Sequence, residues 1–335
     1  MFLLDEATSM NKLSLEAIDR KMQEIRGNTN IMGNAVVLLS GDFRQTLPVV
    51  ARGTPADELD ACLKSSNLWQ KVTKFNLKTN MRVLSIANAE TNLFSEQLLE
   101  LGNGNFAIDP QSGEIEFPEN FCQLQSSINE LVSKVYPNIE TNYIQENWLY
   151  ERAILAPTNE EVDKLNHQIL FKIPGNMIEY NSIDTMTKED EAVNYPTEFL
   201  NSLQPTGMPP HILKLKVGAI LMILRNLNPP KLCNETRVIV KKLTKNLIEA
   251  TILTGKYKGE EVLIPRIPII STDMPFEFKR MQFPVKLAFA MTINKAQGQT
   301  LKVVGLNLTK SCFSHGQLYV GCSRVGTPKA LFIYT

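Results

Sequence analysis

Short apolar runs that end in polar or acidic residues recur along the chain and alternate with helical patterns. Residues 34–42 (NAVVLLSGD) form a continuous apolar run that ends in Gly-Asp, which is typical of a parallel strand buried on both faces. Residues 152–170 combine a short apolar strand, a Pro-Thr-Asn turn and a run with apolar positions at helical spacing. Residues 84–104 predict a further helix, closed by Gly102. This alternation predicts an α/β fold with a mainly parallel sheet.

A different pattern follows the Pro- and Gly-rich residues 201–210. Residues 211–283 contain several short segments of alternating or continuous apolar character with turns between them, which predicts a small all-β, barrel-like unit. Helical patterning returns after residue 284. We therefore expect residues 211–283 to be a β-rich insertion within an α/β domain.

The composition allows two or three domains, because the chain has 335 residues of which 43% are hydrophobic. Its 35 basic and 35 acidic residues balance, so the total charge indicates neither a nucleic-acid partner nor a membrane surface. The distribution is uneven, since residues 139–200 hold twelve acids and four bases whereas residues 211–245 hold eight bases and one acid. A basic segment beside an acidic one is most often a solvated face, but it can also mark the path of a polyanion.

The cysteine and histidine content argues against a zinc site and against a disulfide scaffold. The chain has five cysteines without a Cys-x-x-Cys pair, and only three histidines. No apolar run approaches the length of a membrane span, and the first ten residues are too short and too acidic for a signal peptide. We therefore expect an intracellular protein of a reducing compartment, with no membrane partner.

Two strand ends carry residues suited to nucleotide chemistry. The first residues, FLLDEATSM, run from an apolar strand directly into Asp5 and Glu6. At the carboxyl end of a parallel strand, an Asp can hold Mg²⁺ and a neighbouring Glu can polarise an attacking water. A second strand end, GDFRQTLPVV, places Gln45 where an amide can contact a γ-phosphate and the attacking water. Each pattern taken alone also fits an ordinary strand end or a polar turn.

Two arginines and one strand-to-helix junction complete the candidate chemistry. Arg82 ends the segment LKTNMR, and Arg324 lies in a predicted helix within HGQLYVGCSRV. Both could stabilise the charge of a transferring phosphoryl group, although most arginines are simply surface residues. Around Lys295, the segment MTINKAQGQTL crowds Lys, Gln, Gly and Thr at a helix start, which favours an anion or sugar-phosphate site.

Six segments in this order resemble the motifs of the Pif (petite integration frequency) helicases of superfamily one, and the resemblance covers nearly the whole chain. The segments are FLLDEATSM, GDFRQTLPVV, LKTNMR, NLNPPKLCNETR, AMTINKAQGQTL and FSHGQLYVGCSRV. The resemblance implies an α/β fold of two RecA-like P-loop motor domains. The first, incomplete, is residues 1–82, and the second is residues 83–335 with a small Src-homology-type barrel as its insertion. It also implies a motor that hydrolyses ATP with Mg²⁺, moves 5′-to-3′ on single-stranded DNA and unwinds duplex DNA in repair, recombination and genome maintenance.

The resemblance assigns roles to individual residues. Asp5 becomes the Mg²⁺ ligand, Glu6 the catalytic base and Gln45 the γ-phosphate sensor. Arg82 and Arg324 become arginine fingers. The resemblance also implies a monomer that works in the nucleus or the mitochondrion. The expected nucleotide contacts are Asp5, Gln297, Gly298 and Gln299, and the expected DNA contacts are Lys295, Thr300, Lys214 and Lys216.

Two departures from the family pattern stand out. Glu235 occupies a position where the family usually has Gly, which bears on the geometry of that turn. No G-x-x-x-x-G-K-[ST] loop occurs in the sequence, because the only Gly-Lys pair, Gly255–Lys256, is followed by Tyr257 in a β-rich segment. The chain therefore looks like a helicase cut just before its Walker B strand. Such a cut predicts an exposed apolar flank on the first sheet.

Three interpretations of such a chain stay open. It is an inactive part of an ATP-dependent helicase, a non-catalytic remnant that binds single-stranded DNA, or a transposon-derived or truncated product without a function of its own. Binding of single-stranded DNA without ATPase activity would select the second interpretation. Insolubility of the chain expressed alone would favour the third.

Overall fold

The computed structural model describes residues 1–50, 53–77, 89–188, 190, 193–271 and 274–335. Arg82 and residues 84–88 of the predicted helix lie outside the described residues. The α-helices of the described part are α1 (Lys12–Arg26), α2 (Pro55–Ala61), α3 (Ala89–Asn103), α4 (Ile128–Val135), α5 (Ile139–Asn142), α6 (Glu146–Tyr150), α7 (Asn159–Lys172), α8 (Thr197–Ser202) and α9 (Gln317–Cys322).

The strands of the described part form two parallel and three antiparallel sheets. They are β1 (Phe2–Leu4), β2 (Val37–Leu39), β3 (Gln123–Leu124), β4 (Arg152–Ala156), β5 (Ile178–Asn181), β6 (Ile183–Met186), β7 (Ile212–Leu215), β8 (Ile220–Ile223), β9 (Arg237–Leu243), β10 (Leu247–Ile252), β11 (Glu261–Pro265), β12 (Ile267–Ile270), β13 (Phe278–Gln282), β14 (Val285–Leu287), β15 (Ala290–Thr292), β16 (Val303–Asn307) and β17 (Leu331–Tyr334).

The first unit, taken here as the described residues up to 77, holds a two-stranded parallel sheet of β1 and β2 joined through α1. The side chain of Asn11 caps α1 by accepting from the Leu13 N–H over 2.9 Å, and Gly27 with φ 61° ends the helix. In the described part of the chain β2 pairs only with β1, and Leu38 is 48% exposed. The prediction that this strand is buried on both faces is therefore wrong. The expected exposure of an apolar flank is confirmed, since Phe2 is 51% exposed.

The second unit, residues 89–335 as described, is built on a five-stranded parallel sheet in the order β15-β4-β16-β17-β3. The predicted strand and helix of residues 152–170 are confirmed as β4 and α7. Buried aliphatic side chains from β4, α4 and α7 fill the space against this sheet. The predicted parallel α/β architecture is thus confirmed.

Helix α3 does not end at Gly102 as predicted but runs on to Asn103, and Gly104 with φ 76° follows it. Gly102 has a packing role instead. A Cβ built there would lie 2.9 Å from Arg44 Cδ and 2.9 Å from Tyr319 Cδ2. The missing side chain therefore lets α3 approach a loop of the first unit and helix α9 closely.

The antiparallel strands form a five-stranded sheet in the order β11-β10-β9-β8-β14, a three-stranded sheet in the order β12-β13-β6, and the pair β5-β7. They span residues 178–287, so the β-rich region is longer than the predicted 211–283. The reason is that β5 and β6 are paired with strands of the predicted segment rather than with the parallel sheet. A buried ion pair of 2.6 Å joins Arg280 on β13 to Asp184, the residue opposite it on β6.

Among the helices that the structure describes, none has both the length and the apolar character that a membrane span requires.

Candidate functional site

The carboxyl ends of β1 and β2 lie side by side and carry the first candidate residue. The Ser40 hydroxyl donates to Asp5 Oδ1 over 2.5 Å, and the backbone N–H of Glu6 donates to the same oxygen over 3.0 Å. These hydrogen bonds, that from Ser40 first, lower the pKa of the Asp5 carboxyl below its ordinary value. Asp5 is exposed and therefore presents an ionised carboxylate to solvent at neutral pH.

Glu6 connects the first unit to the second through a hydrogen bond from the side-chain amide of Gln297. Its backbone is left-handed, with φ 49°, and its Oε2 accepts from Gln297 Nε2 over 2.9 Å. Gln297 Oε1 in turn accepts from the Thr46 hydroxyl over 2.7 Å. A Cβ built on Gly298 would lie 4.0 Å from Glu6 Oε1. The structure therefore brings the predicted base together with two of the predicted nucleotide contacts, from opposite ends of the sequence.

A second contact between the units involves the loop after β2 and helix α9. The Tyr319 hydroxyl donates to Asp42 Oδ2 over 3.1 Å, and Arg44 Nε donates to Asp42 Oδ1 over 2.8 Å. The Arg44 guanidinium carbon lies 5.8 Å from the centre of the Tyr319 ring. Burial, followed by the Asp42 charge, raises the pKa of Tyr319. Sequence reasoning missed Tyr319, because a tyrosine in a helical pattern gives no sign of a distant carboxylate.

The residues before α9 also fit closely against this loop. A Cβ built on Gly316, whose φ is 74°, would lie 2.5 Å from the carbonyl oxygens of Arg44 and Gln45. His315 Nε2 lies 2.9 Å from the carbonyl oxygen of Phe43, so its N–H donates there. The Oε1 atom of Gln45 is buried and accepts no hydrogen bond. The predicted γ-phosphate sensor thus retains an unused acceptor beside the contact between the units.

Arg324 is only 4% exposed, and its guanidinium donates to backbone groups of the second unit. Nε donates to the Val320 carbonyl over 2.8 Å, and Nη1 donates to the carbonyls of Ala296 and Gln299 over 3.3 and 3.2 Å. In this conformation Arg324 holds the segment that carries Gln297 in place. Its role as an arginine finger stays a prediction, as does that of Arg82, which lies outside the described residues.

Lys295 lies in the short helical turn after β15, close to a second lysine. Its ammonium nitrogen is 3.5 Å from Glu235 Oε1. Lys286, on β14, contacts Asn159 Oδ1 over 3.4 Å at the start of α7. Burial lowers the pKa of Lys286, the Asp163 charge raises it and the Lys295 charge lowers it. Lys286 therefore lies at the N-terminus of a 14-residue helix, with Lys295 close enough to lower its pKa, an arrangement suited to an anion.

Glu235 lies in the turn where the related helicases usually have Gly, and its backbone adopts the left-handed conformation that favours Gly. Its φ is 68°, in the left-handed region, where a residue with a side chain costs of order 1 kcal/mol. The turn is fixed by its own hydrogen bonds, since the Glu235 N–H donates to the Ile223 carbonyl over 2.8 Å. The turn therefore keeps the geometry that favours glycine and presents a carboxylate to Lys295.

The two remaining predicted DNA lysines lie elsewhere. Lys216 is 8% exposed, and its ammonium donates to the Ile173 carbonyl over 2.6 Å just after α7. This position gives Lys216 a structural role at the end of the helix, and we propose no DNA contact for it. Lys214 pairs with Glu179 across β7 and β5 at 3.1 Å, so its DNA contact stays a prediction.

Gln299 and Thr300 face a cleft between the parallel sheet and the β-rich region. The cleft measures about 310 Å³ and is also lined by Tyr150 and Gly255. Gln299 Nε2 donates to the Lys295 carbonyl over 3.0 Å and thereby closes the turn that carries Lys295. Thr300 is exposed at the cleft, where its hydroxyl is accessible to a ligand.

Asp5 offers the fitting donor for a divalent ion. Among the described residues, no group of three or more His, Cys, Asp or Glu side chains could hold a metal. A Mg²⁺ ion that accompanies a nucleotide needs no such cluster, because it usually takes one or two protein oxygens, substrate phosphates and waters. The ionised Asp5 carboxylate beside the Ser40 hydroxyl matches that requirement.

Two family models match the chain. One, described as PIF1-like helicase, matches residues 1–112, and the other, described as the 2B domain of DNA helicase Pif1, matches residues 198–243. The second match falls within the β-rich region, so the expected insertion has a counterpart in this group of helicases.

Curated relatives align with nearly all of the chain. It is 25% identical over 345 residues to ATP-dependent DNA helicase PIF6 of Trypanosoma brucei brucei, with 99% of this chain and 40% of that protein covered. It is 24% identical over 333 residues to ATP-dependent DNA helicase PIF1 of Danio rerio, with 98% and 45% covered. The chain therefore spans less than half the length of these two relatives.

Solved structures agree in fold. The Pif1 helicase from Candida albicans superposes with a TM-score of 0.64 at 23% identity, over 99% of this chain and 72% of that chain. A Bacteroides Pif1 bound to ssDNA gives a TM-score of 0.63 at 20% identity, over 99% and 69%. The predicted fold of RecA-like motor domains with a β-rich insertion is thereby confirmed. Both family models, these relatives and the six motifs in order agree that the chain is similar to the PIF1-like helicases.

Proposed function

We propose that this chain is part of an ATP-dependent DNA helicase motor, and that its two units jointly form the nucleotide site. The observation that carries the proposal is the hydrogen bond from Gln297 to Glu6. It places an amide of the second unit on the carboxylate that is best placed to activate water in the first. A change in the distance between the units would therefore change the surroundings of the base directly.

On the nucleotide side, Asp5 and Ser40 would hold Mg²⁺, and the bound ion would neutralise charge on the phosphates of ATP. Glu6 can take a proton from the attacking water, and the unpaired Gln45 Oε1 can accept a hydrogen bond from the same water. These residues position and deprotonate the nucleophile. The sequence holds no G-x-x-x-x-G-K-[ST] loop to cradle the phosphates, so we expect negligible ATP hydrolysis by these 335 residues alone.

On the DNA side, we propose that backbone phosphates of single-stranded DNA bind along Lys295, Lys286 and the start of α7. The two ammonium groups and the helix N-terminus attract the same anion. The Bacteroides Pif1, which is similar in fold, was solved with ssDNA bound, and this supports the choice of ligand. Thr300, on the cleft beside this surface, would contact the next part of the strand.

The remaining features of the proposal follow from the family. We propose movement in the 5′-to-3′ direction on the strand, separation of duplex DNA ahead of the motor, and action as a monomer. Because the substrate is DNA, we place the protein in the nucleus or the mitochondrion, with work in repair, recombination and genome maintenance.

A salt titration tests the DNA-binding part of the proposal. A fluorescently labelled oligo-dT is titrated with the full 335-residue chain at several salt concentrations. We expect log affinity to fall linearly with log salt, with a slope of about −0.7 for each phosphate neutralised. Lys295→Ala should weaken binding several-fold and reduce the slope by about 0.7, because one phosphate contact is lost. Lys21→Ala, on the exposed face of α1, is the control and should leave both quantities unchanged.

Two outcomes would contradict the proposal. The first is no binding at low salt, which would remove DNA from the account of this chain. The second is binding that is identical in wild type, Lys295→Ala and Lys286→Ala, which would place the DNA on another surface. Binding without any ATPase activity in a longer version that contains a phosphate-binding loop would favour the non-catalytic remnant instead.

A further inference from the structure

A carboxylate occupies the position at Lys295 where the proposed function places a DNA phosphate. Glu235 Oε1 lies 3.5 Å from the Lys295 ammonium nitrogen, with 46% of the Glu235 side chain and 26% of the Lys295 side chain exposed. We infer that Glu235 is an internal competitor of DNA, which must leave Lys295 before a phosphate can bind there. This inference rests on the proposed function, because it concerns the same lysine.

Hydrogen bonds of the turn fix the backbone at Glu235. The Glu235 N–H donates to the Ile223 carbonyl over 2.8 Å, and the Asn234 N–H donates to Asn226 Oδ1 over 2.8 Å. The Thr236 N–H donates to the Cys233 carbonyl over 3.1 Å. With φ of 68°, Glu235 keeps a backbone conformation that only glycine adopts at little cost. Glu235 therefore extends toward Lys295 from a backbone position that the turn defines.

The charges around Lys295 show why this carboxylate matters for DNA. Lys286 and Asp163 lie close enough to change each other's pKa, and Lys295 lowers that of Lys286. With Glu235 present, two lysines and two carboxylates leave this surface without net charge. Without the Glu235 charge the same surface would carry one positive charge. DNA binding therefore depends on whether Glu235 can be displaced.

A DNA phosphate can displace the Glu235 carboxylate from Lys295. Partly exposed ion pairs contribute little to stability, because water screens them and the side chains lose entropy when they pair. A phosphate in a strand is fixed by neighbouring contacts, so it competes from a high local concentration. When a phosphate replaces Glu235 at Lys295, the phosphate releases a counterion and the freed Glu235 carboxylate attracts one. The replacement therefore lowers the net counterion release, and with it the salt dependence of binding.

The test compares oligo-dT binding by the full chain and by four variants across a range of salt. Glu235→Gln keeps the side-chain length and removes the charge. We expect it to raise affinity about fivefold, which corresponds to the loss of one partly exposed ion pair. The slope of log affinity against log salt should become steeper, by less than about 0.7, because the part of the counterion release at Lys295 that Glu235 cancels is then regained.

Three further variants identify the source of any change. Glu249→Gln removes a carboxylate that pairs with Lys242 at 3.3 Å on the same β-rich region, and it should leave affinity and slope unchanged. Lys295→Ala should weaken binding, and Glu235→Gln in that background should add no more than the general effect seen with Glu249→Gln. Thermal unfolding of each variant, followed by circular dichroism, confirms that the compared proteins are folded.

The outcomes separate the inference from the function on which it rests. Equal affinity and equal slope for wild type and Glu235→Gln, with weaker binding by Lys295→Ala, overturn the inference and leave the DNA surface in place. Equal gains from Glu235→Gln and Glu249→Gln also overturn it, since the effect is then one of net charge. If Lys295→Ala binds oligo-dT as tightly as wild type does, the proposed DNA contact at Lys295 is itself wrong.

Discussion

The side-chain amide of Gln297 donates to the carboxylate of Glu6 over 2.9 Å, although 290 residues of chain separate the two positions. Gln297 also accepts from the Thr46 hydroxyl, so the amide is fixed at both ends. A hydrogen bond to a carboxylate contributes more than one between neutral groups. We conclude that this amide sets the position of Glu6 relative to the second unit.

Replacement of Gln297 by glutamate should make this contact depend on pH. At pH 7, Gln297→Glu places two carboxylates together, and we expect a loss of about 1 kcal/mol in the free energy of unfolding. The neighbouring charge raises the pKa of the new carboxyl, so the loss should shrink as the pH falls through that pKa, because the protonated acid can donate to Glu6.

Urea denaturation at several pH values measures this effect. Gln297→Leu is the matched control, because it removes the hydrogen bonds without adding a carboxyl group that titrates. Wild-type stability of Gln297→Glu at pH 7 would show that Gln297 and Glu6 are not in contact.

The close approach at Gly316 gives a second prediction. Gly316→Ala places a Cβ 2.5 Å from backbone oxygens of the opposite loop at a φ of 74°, so we expect it to destabilise the chain by at least about 2 kcal/mol. Gly255→Ala has a similar φ of 77° with nothing within 4 Å of the new Cβ, and should cost only about 1 kcal/mol. Equal losses for the two variants in chemical denaturation would mean that the units do not touch at Gly316.

Because the pKa of Lys286 is lowered, we predict an unusual pH dependence of DNA binding. Burial lowers its pKa, so it loses its charge at a lower pH than an ordinary lysine, whose pKa is about 10.4. The affinity for oligo-dT should therefore begin to fall below that pH as the solution is made more alkaline. Lys286→Arg keeps its charge throughout and should move the fall to higher pH. An identical pH profile for wild type and Lys286→Arg would exclude Lys286 from the DNA surface.

The ATPase activity of the chain should be negligible, with or without oligo-dT, because nothing in its sequence matches a phosphate-binding loop. A sensitive phosphate-release assay measures this, with Glu6→Gln as the control for contaminating activity. A DNA-stimulated rate that disappears in Glu6→Gln would show instead that Asp5 and Glu6 act on a nucleotide held by other means.

The sequence predicted those parts of the site that depend on local order along the chain. Asp5, Glu6 and Gln45 follow apolar strands, and parallel strands bring their carboxyl ends to one edge. It also identified the segment around Gln297. It could not predict that Gln297 reaches Glu6, because that contact depends on how two separate units pack together.

Other parts of the site escaped prediction for related physical reasons. A lysine in an alternating strand pattern reads as exposed, yet Lys216 is buried because its ammonium finds backbone carbonyls at the end of α7. The extent of the β-rich region was underestimated, because β5 and β6 are short and are recognised only by their partners. Glu235 was noticed as an unusual residue, but its pairing with Lys295 required the three-dimensional structure.

The central claim is where single-stranded DNA binds on the protein, and photochemical crosslinking tests it most directly. The full chain is irradiated in complex with an oligo-dT that carries 5-iodouracil, and the crosslinked peptides are identified by mass spectrometry. We predict crosslinks in the segment from Lys286 to Thr300 and at the start of α7 near Asn159. Crosslinks confined to the first unit, or to the outer strands of the β-rich region, would contradict the account.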